Sequence, residues 1–170
     1  MTRALTCVAL ALALFFAQLA TLRSAELSVP RDTPILTISG AITRTNAPGA
    51  AQFDREMIEA LGYETITTKT PWYDGTASFA GVRLDKLLAL VGASGSTVTA
   101  HALNDYVTVI PMEDFARYGV ILALKKDGAY MSVREKGPLF IMYPFDRHRE
   151  LQAQVFFSRA AWQVARLVVE

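Results

Sequence analysis

The sequence predicts an α+β fold in which strands dominate, built as mixed sheets with short helices. Three observations carry this. Segments rich in β-branched and aromatic residues, bounded by turn residues, recur from Pro34 to Val169. Only two longer stretches show helical apolar spacing, Phe53/Met57/Ile58/Leu61 and Leu84/Leu87/Leu88/Val91, and a glycine closes each, Gly62 and Gly92. Hydrophobic residues make up 52% of 170 positions, enough for the core of one domain.

The chain opens on a targeting segment. Arg3 supplies a positive start, Leu5 to Leu22 is an almost unbroken apolar run, and the small residues Ser24-Ala25 follow. Residues 1–25 read as a secretory signal peptide. Arg23 sits poorly three positions before a cut after Ala25, so the cleavage point stays open. An uncleaved anchor is the competing reading, because a membrane span needs roughly 17 residues or more. Cys7, the only cysteine, lies in this leader, so the exported part has no disulfide and relies on its core. Of 17 basic residues the leader holds Arg3 and Arg23, against none of the 16 acidic ones, so its removal moves the net charge from +1 to −1. No strong field points to nucleic acid. The expected location is the periplasm, and residues 26–170 are expected to form a single domain.

The remaining elements follow in order. Glu26 to Thr33 is a polar lead-in, and Pro34 to Gly40 alternates as a strand. Ile42 to Ala50 is a loop marked by Asn46, Pro48 and Gly49. The first helix runs from Phe53 to Leu61. Tyr63 to Thr70, with its threonines, is a strand, Pro71 to Thr76 breaks it, and Ala77 to Val82 is a short extended piece. The second helix covers Leu84 to Val91. Thr97 to Leu103 and Tyr106 to Ile110 are strands around the turn Asn104-Asp105. Pro111 to Phe115 is a brief helical turn. Ile121 to Lys125 and Ala129 to Ser132 form a hairpin on Asp127-Gly128. Gly137-Pro138 introduces the buried strand Leu139 to Phe145, Asp146 to Arg149 is a charged loop, and Phe156 to Trp162 leads into the closing strand Val164 to Val169.

Several pieces carry a resemblance. They are Leu36 to Gly40, Phe79-Ala80-Gly81-Val82-Arg83-Leu84-Asp85-Lys86-Leu87-Leu88, Asp105-Tyr106 through Ile110-Pro111 to Asp114, Gly137-Pro138-Leu139 to Pro144, and Trp162-Gln163-Val164. In this order they resemble the sulfite-oxidase-fold, molybdopterin-binding family over about Pro34 to Val169. The resemblance implies that family's fold. Two departures matter. Catalytic members carry a molybdenum-ligating cysteine in the loop that Thr65 to Gly75 resembles, and here threonine and lysine stand in its place. A soft metal held by one protein thiolate cannot be held that way without it. Ala161 also stands where a lysine is usual before the tryptophan, which weakens the grip on a molybdopterin phosphate.

The sequence is closer to a small exported subgroup that is similar to periplasmic pterin-binding signalling proteins. That resemblance implies a tetrahydropterin or molybdopterin-like ligand without molybdenum. It also implies a partner, the periplasmic domain of a membrane cyclic-di-GMP enzyme. The alternative is a molybdopterin-dependent oxidoreductase with an unusual metal ligand.

A pterin needs an aromatic wall and a carboxylate or amide for its amino-pyrimidine edge. Trp72 or Tyr73 with Asp74 would supply both; the competing reading is an aromatic corner plugging the core, with Asp74 making a turn. Asn104, Asp105 and Tyr106 would line the same mouth, although Asn-Asp is also ordinary hairpin chemistry. Arg83 stands at the end of a helix that disfavours a cation for capping, and reads as solvated. Arg147, Arg149 and Arg159 would meet a phosphate or an acidic partner; alternatively each is a solvated loop residue. Arg159, close to Trp162, is the strongest of these, and both belong to the expected cofactor site. His101 and His148 are far apart and no cysteine joins them, so no metal site is expected. The serines lie in no nucleophile-elbow context.

Overall fold

Two five-stranded sheets, joined at one corner, make up the protein. The computed structural model describes residues 27–170, so the leader lies outside the described residues. The first sheet has the order β2-β1-β10-β5-β6, with β1 (Leu36–Gly40), β2 (Ala50–Phe53), β5 (Thr97–Ala102), β6 (Val107–Pro111) and β10 (Val164–Val169). β1 and β10 run parallel and the other pairs of this sheet antiparallel, so the sheet is mixed. The second sheet runs β3 (Glu64–Thr70), β4 (Tyr73–Arg83), β7 (Ile121–Lys126), with β8 (Ala129–Tyr130) and β9 (Phe140–Met142) both paired to β7. Among the described residues, four short α-helices complete it: α1 (Arg55–Glu59), α2 (Leu84–Leu90), α3 (Met112–Tyr118) and α4 (Gln154–Arg159).

Side-chain alternation explains which faces are buried. Leu36 and Ile38 of β1, and Val98 and Ala100 of β5, point inward. β7 is buried continuously from Ile121 to Leu124, as a central strand covered on both faces should be. Leu139 to Phe145 is likewise fully buried, although only Phe140–Met142 pairs in the sheet. At Gly81 of β4 any Cβ would collide with the Leu122 carbonyl, so the close β4–β7 approach requires glycine there.

Several elements differ from the sequence expectation. Phe53 belongs to β2, not to a helix. Asp54 ends that strand and caps α1: its carboxylate accepts the Met57 N–H at 2.9 Å and the N–H groups of Arg31 and Asp32 at 2.7 and 3.2 Å. The break expected over Pro71 to Thr76 is confined to Pro71 and Trp72, where β3 ends. The chain turns at Thr70 to Tyr73, and β4 continues for 11 residues because Asp74 and Gly75 are absorbed as a bulge, Lys69 pairing with Thr76 and Thr70 with Tyr73. The helical turn after Pro111 is a helix of 7 residues closed by Gly119 at φ 68°. Helix α4 has no counterpart in the sequence reading.

Asp54 is 2% exposed and ties the lead-in to α1. The Met57 N–H foremost, with those of Asp32 and Arg31, holds its pKa below the ordinary value of 3.8. The folded form therefore favours the carboxylate, and this stabilisation is present above the unfolded pKa and lost as pH falls through the folded one. Asp54→Ala is expected to cost about 1–2 kcal/mol in urea unfolding at pH 7, with the difference from wild type shrinking as pH falls below 4.

Candidate ligand-binding cleft

Four chain segments converge on one open cleft of about 370 Å³, within the range of small-molecule sites, roughly 300–1,000 Å³. The turn between β3 and β4 supplies Pro71 and Trp72, the turn before β6 supplies Tyr106, α4 supplies Gln154, Phe157 and Ser158, and the segment before β10 supplies Ala160 and Trp162. Trp72 packs at 5.5 Å against both Phe140 and Trp162, at 6.1 Å against Phe145 and at 6.2 Å against Phe157. Tyr106 lies parallel to Trp162, within 6°, with ring centres 6.5 Å apart. Its hydroxyl donates to the Ser158 carbonyl at 2.7 Å, which ties the β5–β6 turn to α4. The walls are aromatic, and one polar side chain, Gln154, has an exposed amide that bonds to nothing else among the described residues.

Of the residues singled out from the sequence, the fold brings Trp72, Tyr106 and Trp162 together. It separates the others. Tyr73 points away from Trp72, its ring against Phe79 at 5.9 Å and its hydroxyl donating to the Glu135 carbonyl at 3.2 Å. Burial, then the charges of Glu135 and Asp127, push its pKa up. Asp74 sits in the exposed bulge and does not line the cleft. Asn104 accepts the Tyr106 N–H at 3.2 Å, and Asp105 takes φ 64°, so both make the turn. Arg147 is exposed and outside the cleft lining. Arg83 is not simply solvated: it bonds Asp85 at 2.7 and 2.9 Å.

Arg159 adjoins the cleft through Ser158 and Ala160, but its guanidinium is engaged elsewhere. It donates to Asp114 Oδ2 at 2.9 Å, and the Tyr143 hydroxyl donates to the same oxygen at 2.9 Å. Asp114 is 4% exposed and the Arg159 side chain 21%. Burial foremost, with Asp114 beside it, raises the Tyr143 pKa far above the usual phenol range. This network anchors α4. A helix with no fully buried residue of its own needs such an anchor. Gln154 and Phe157, which the sequence reading missed, share one face of α4; their spacing of three was the available signal.

The strand end that resembles the metal-ligating loop is also fully engaged. Thr68 is buried, and its hydroxyl accepts the Asp146 N–H at 3.1 Å. The Lys69 N–H donates to the Asp146 carboxylate at 2.7 Å. No cysteine occurs in residues 27–170. Among the described residues no three His, Cys, Asp or Glu side chains cluster as metal ligands. These donors do not fit a molybdenum centre held by a thiolate. The aromatic cleft and the Gln154 amide do fit a flat, hydrogen-bonding heterocycle.

The fold and site define a molybdopterin-domain scaffold. Residues 47–145, more than half of the chain, match the family described as Oxidoreductase molybdopterin binding domain, and the chain belongs to that family. No curated protein matches it. Among solved structures it is similar to the sulfane dehydrogenase SoxCD from Paracoccus pantotrophus, with a TM-score of 0.58 and 19% identity. The likeness covers 79% of this chain but 37% of that one, and it is a likeness of fold.

Arg159→Ala would leave the Asp114 carboxylate buried with Tyr143 as its remaining side-chain partner. It is expected to cost about 2 kcal/mol in chemical denaturation, discounted from the full cost of a broken buried pair because Arg159 is partly solvated. Arg159→Lys should recover part of this, since the point charge returns without the planar fork.

Proposed function

We propose that this is an exported pterin-binding protein that keeps a molybdopterin-oxidoreductase scaffold without its molybdenum-ligating cysteine. The observation that carries it is the cleft walled by Trp72, Tyr106, Phe157 and Trp162, adjacent in the chain to a strand end where Thr68 and Lys69 are tied to Asp146 instead of offering a thiolate. The ring would lie against the aromatic wall, with the Gln154 amide meeting the donors and acceptors of the amino-pyrimidine edge. When bound, a reduced pterin supplies a redox-sensitive ring. The chain's own residues bind and orient it and screen its faces from water. The protein works in the periplasm after removal of residues 1–25, and the bound state regulates the periplasmic domain of a membrane cyclic-di-GMP enzyme. That partner follows from the resemblance of the sequence to exported signalling proteins.

Both tryptophans of the chain, Trp72 and Trp162, line the cleft, so intrinsic fluorescence reports directly on it. Tetrahydropterins should quench this fluorescence and release heat in isothermal titration. Tyr106→Ala removes a ring that is 42% exposed and should weaken binding by about tenfold, whereas Tyr106→Phe, which loses only the hydroxyl tie to Ser158, should weaken it less. If no pterin changes fluorescence, heat or thermal stability, the reading fails. Protein produced in a host with intact molybdopterin synthesis is expected to lack stoichiometric molybdenum by elemental analysis; stoichiometric metal with electron turnover would favour the oxidoreductase alternative.

A further inference from the structure

The second sheet has an open edge along β3. This strand is the outermost of that sheet and pairs with β4 alone. Its register is regular from Glu64 to Lys69. The Lys69 N–H donates to the Asp146 carboxylate at 2.7 Å, so it points away from β4. An antiparallel ladder alternates, and the N–H and C=O of Thr67 and Thr65 therefore point outward as well. The facing strand agrees. Ser78, opposite Thr67, spends its N–H and its carbonyl on Asp127, on the β7 side, at 2.9 and 2.7 Å. Among the described residues nothing bonds the outward main-chain groups of Thr65 and Thr67. Their side chains are exposed, while Ile66 and Thr68 are buried.

Charge along this edge is one-sided. At its start Glu64 is neutralised by Lys86 at 3.0 Å and Arg83 at 3.7 Å. At its end the Lys69 side chain is exposed, and the loop that Asp146 fastens there continues with Arg147 and Arg149, both exposed. Among the described residues none of these three cations forms an ion pair within 4.0 Å. Asp146 offsets one of them and Glu150 faces Arg117 at 4.0 Å, so this end stays positive. Open main-chain donors and acceptors along an edge call for another extended chain, which a lipid headgroup does not supply. Uncompensated cations at one end call for carboxylates on that chain.

We propose that β3 is a docking edge for an extended, acidic segment of a partner protein. The segment adds as a strand beside Thr65 and Thr67 and places a carboxylate against Lys69 and the Arg147 loop. Neither Thr65, Thr67 nor Lys69 lines the aromatic cleft, and the proposal does not depend on the pterin reading. The competing role is an edge that water alone satisfies.

The test is an amide chemical-shift titration of the isotope-labelled protein. The probe is a short capped peptide of alternating threonine and valine with glutamate at both ends, so that either strand direction puts one beside Lys69. The controls are the same peptide with lysine ends, and the acidic peptide with every backbone nitrogen methylated. The acidic peptide should shift the Thr65 to Lys69 amides saturably. At low salt it should bind about fivefold or more tightly than the lysine peptide, with the gap narrowing as salt is raised. Methylation should weaken it by about tenfold or more. Thr67→Pro removes an outward N–H without touching the ladder, as proline on an edge strand can, and should weaken the acidic peptide by about tenfold. Lys69→Glu, at an exposed side chain, should cut the charge gap to about twofold or less. Equal affinity for acidic and lysine peptides overturns the proposal, and so does undiminished binding of the methylated one. Shifts centred away from β3, or no saturable shift with either peptide, also overturn it. Binding to phosphatidylglycerol vesicles that Thr67→Pro leaves unchanged, without peptide binding, overturns it in favour of a membrane contact. If Thr67→Pro does not fold, the methylated peptide decides whether main-chain pairing is used.

Discussion

The corner where β9 hands over to β10 is the constraint on which the rest depends. Phe140 and Trp162 form a backbone bridge, the Ile141 N–H donates to Ala161 at 2.9 Å, and the Val164 N–H donates to Leu139 at 3.0 Å. These bonds extend the second sheet to the point where the chain enters the first. They fix the backbone around Trp162, and Trp72 then closes on both Trp162 and Phe140. One wall of the cleft is therefore continuous with the hydrophobic core. The opposite wall is different in kind. It rests on α4, a helix of 6 residues that is too short to be stable by itself and is held by the Arg159–Asp114 pair and the Tyr106 hydroxyl. The cleft combines a fixed floor with a wall whose position depends on a few polar contacts.

Where burial follows a local period, the sequence was readable. The alternation in β1 and the helical spacing in α2 correspond to what packs inward. It misled where two periods coincide or where a turn residue was absorbed. Phe53 and Met57 have helical spacing, yet Asp54 between them caps a helix and so places Phe53 in a strand. Asp74-Gly75 has the composition of a break, yet pairing on both sides turns it into a bulge. Helix α4 has no apolar stripe deep enough to announce itself.

The same distinction divides the site. Trp72 and Tyr73 are neighbours in sequence, and a reading by proximity groups them with Asp74. Trp72 sits in the turn and Tyr73 opens β4, so one ring enters the cleft and the other meets Phe79 and two lysines. Trp162 and Tyr106 were reachable through the order of motifs. The fate of Arg159 was not, because its partner Asp114 lies 45 residues earlier and only the tertiary fold brings them together.

The engagement of Thr68 and Lys69 bears on what this strand end is built to do. A mere cysteine-to-threonine exchange would leave a small hydroxyl facing a site otherwise unchanged. Here the Thr68 hydroxyl accepts the Asp146 N–H, and the Asp146 carboxylate accepts the Lys69 N–H, so two loops distant in sequence are fastened to each other at that position. Among the described residues no buried side-chain nitrogen or oxygen lacks a partner. A thiol at position 68 would replace the hydroxyl acceptor of this fastening with a weaker one. The Thr68 hydroxyl therefore has a structural role in joining these loops, and the aromatic cleft beside it is free of that role.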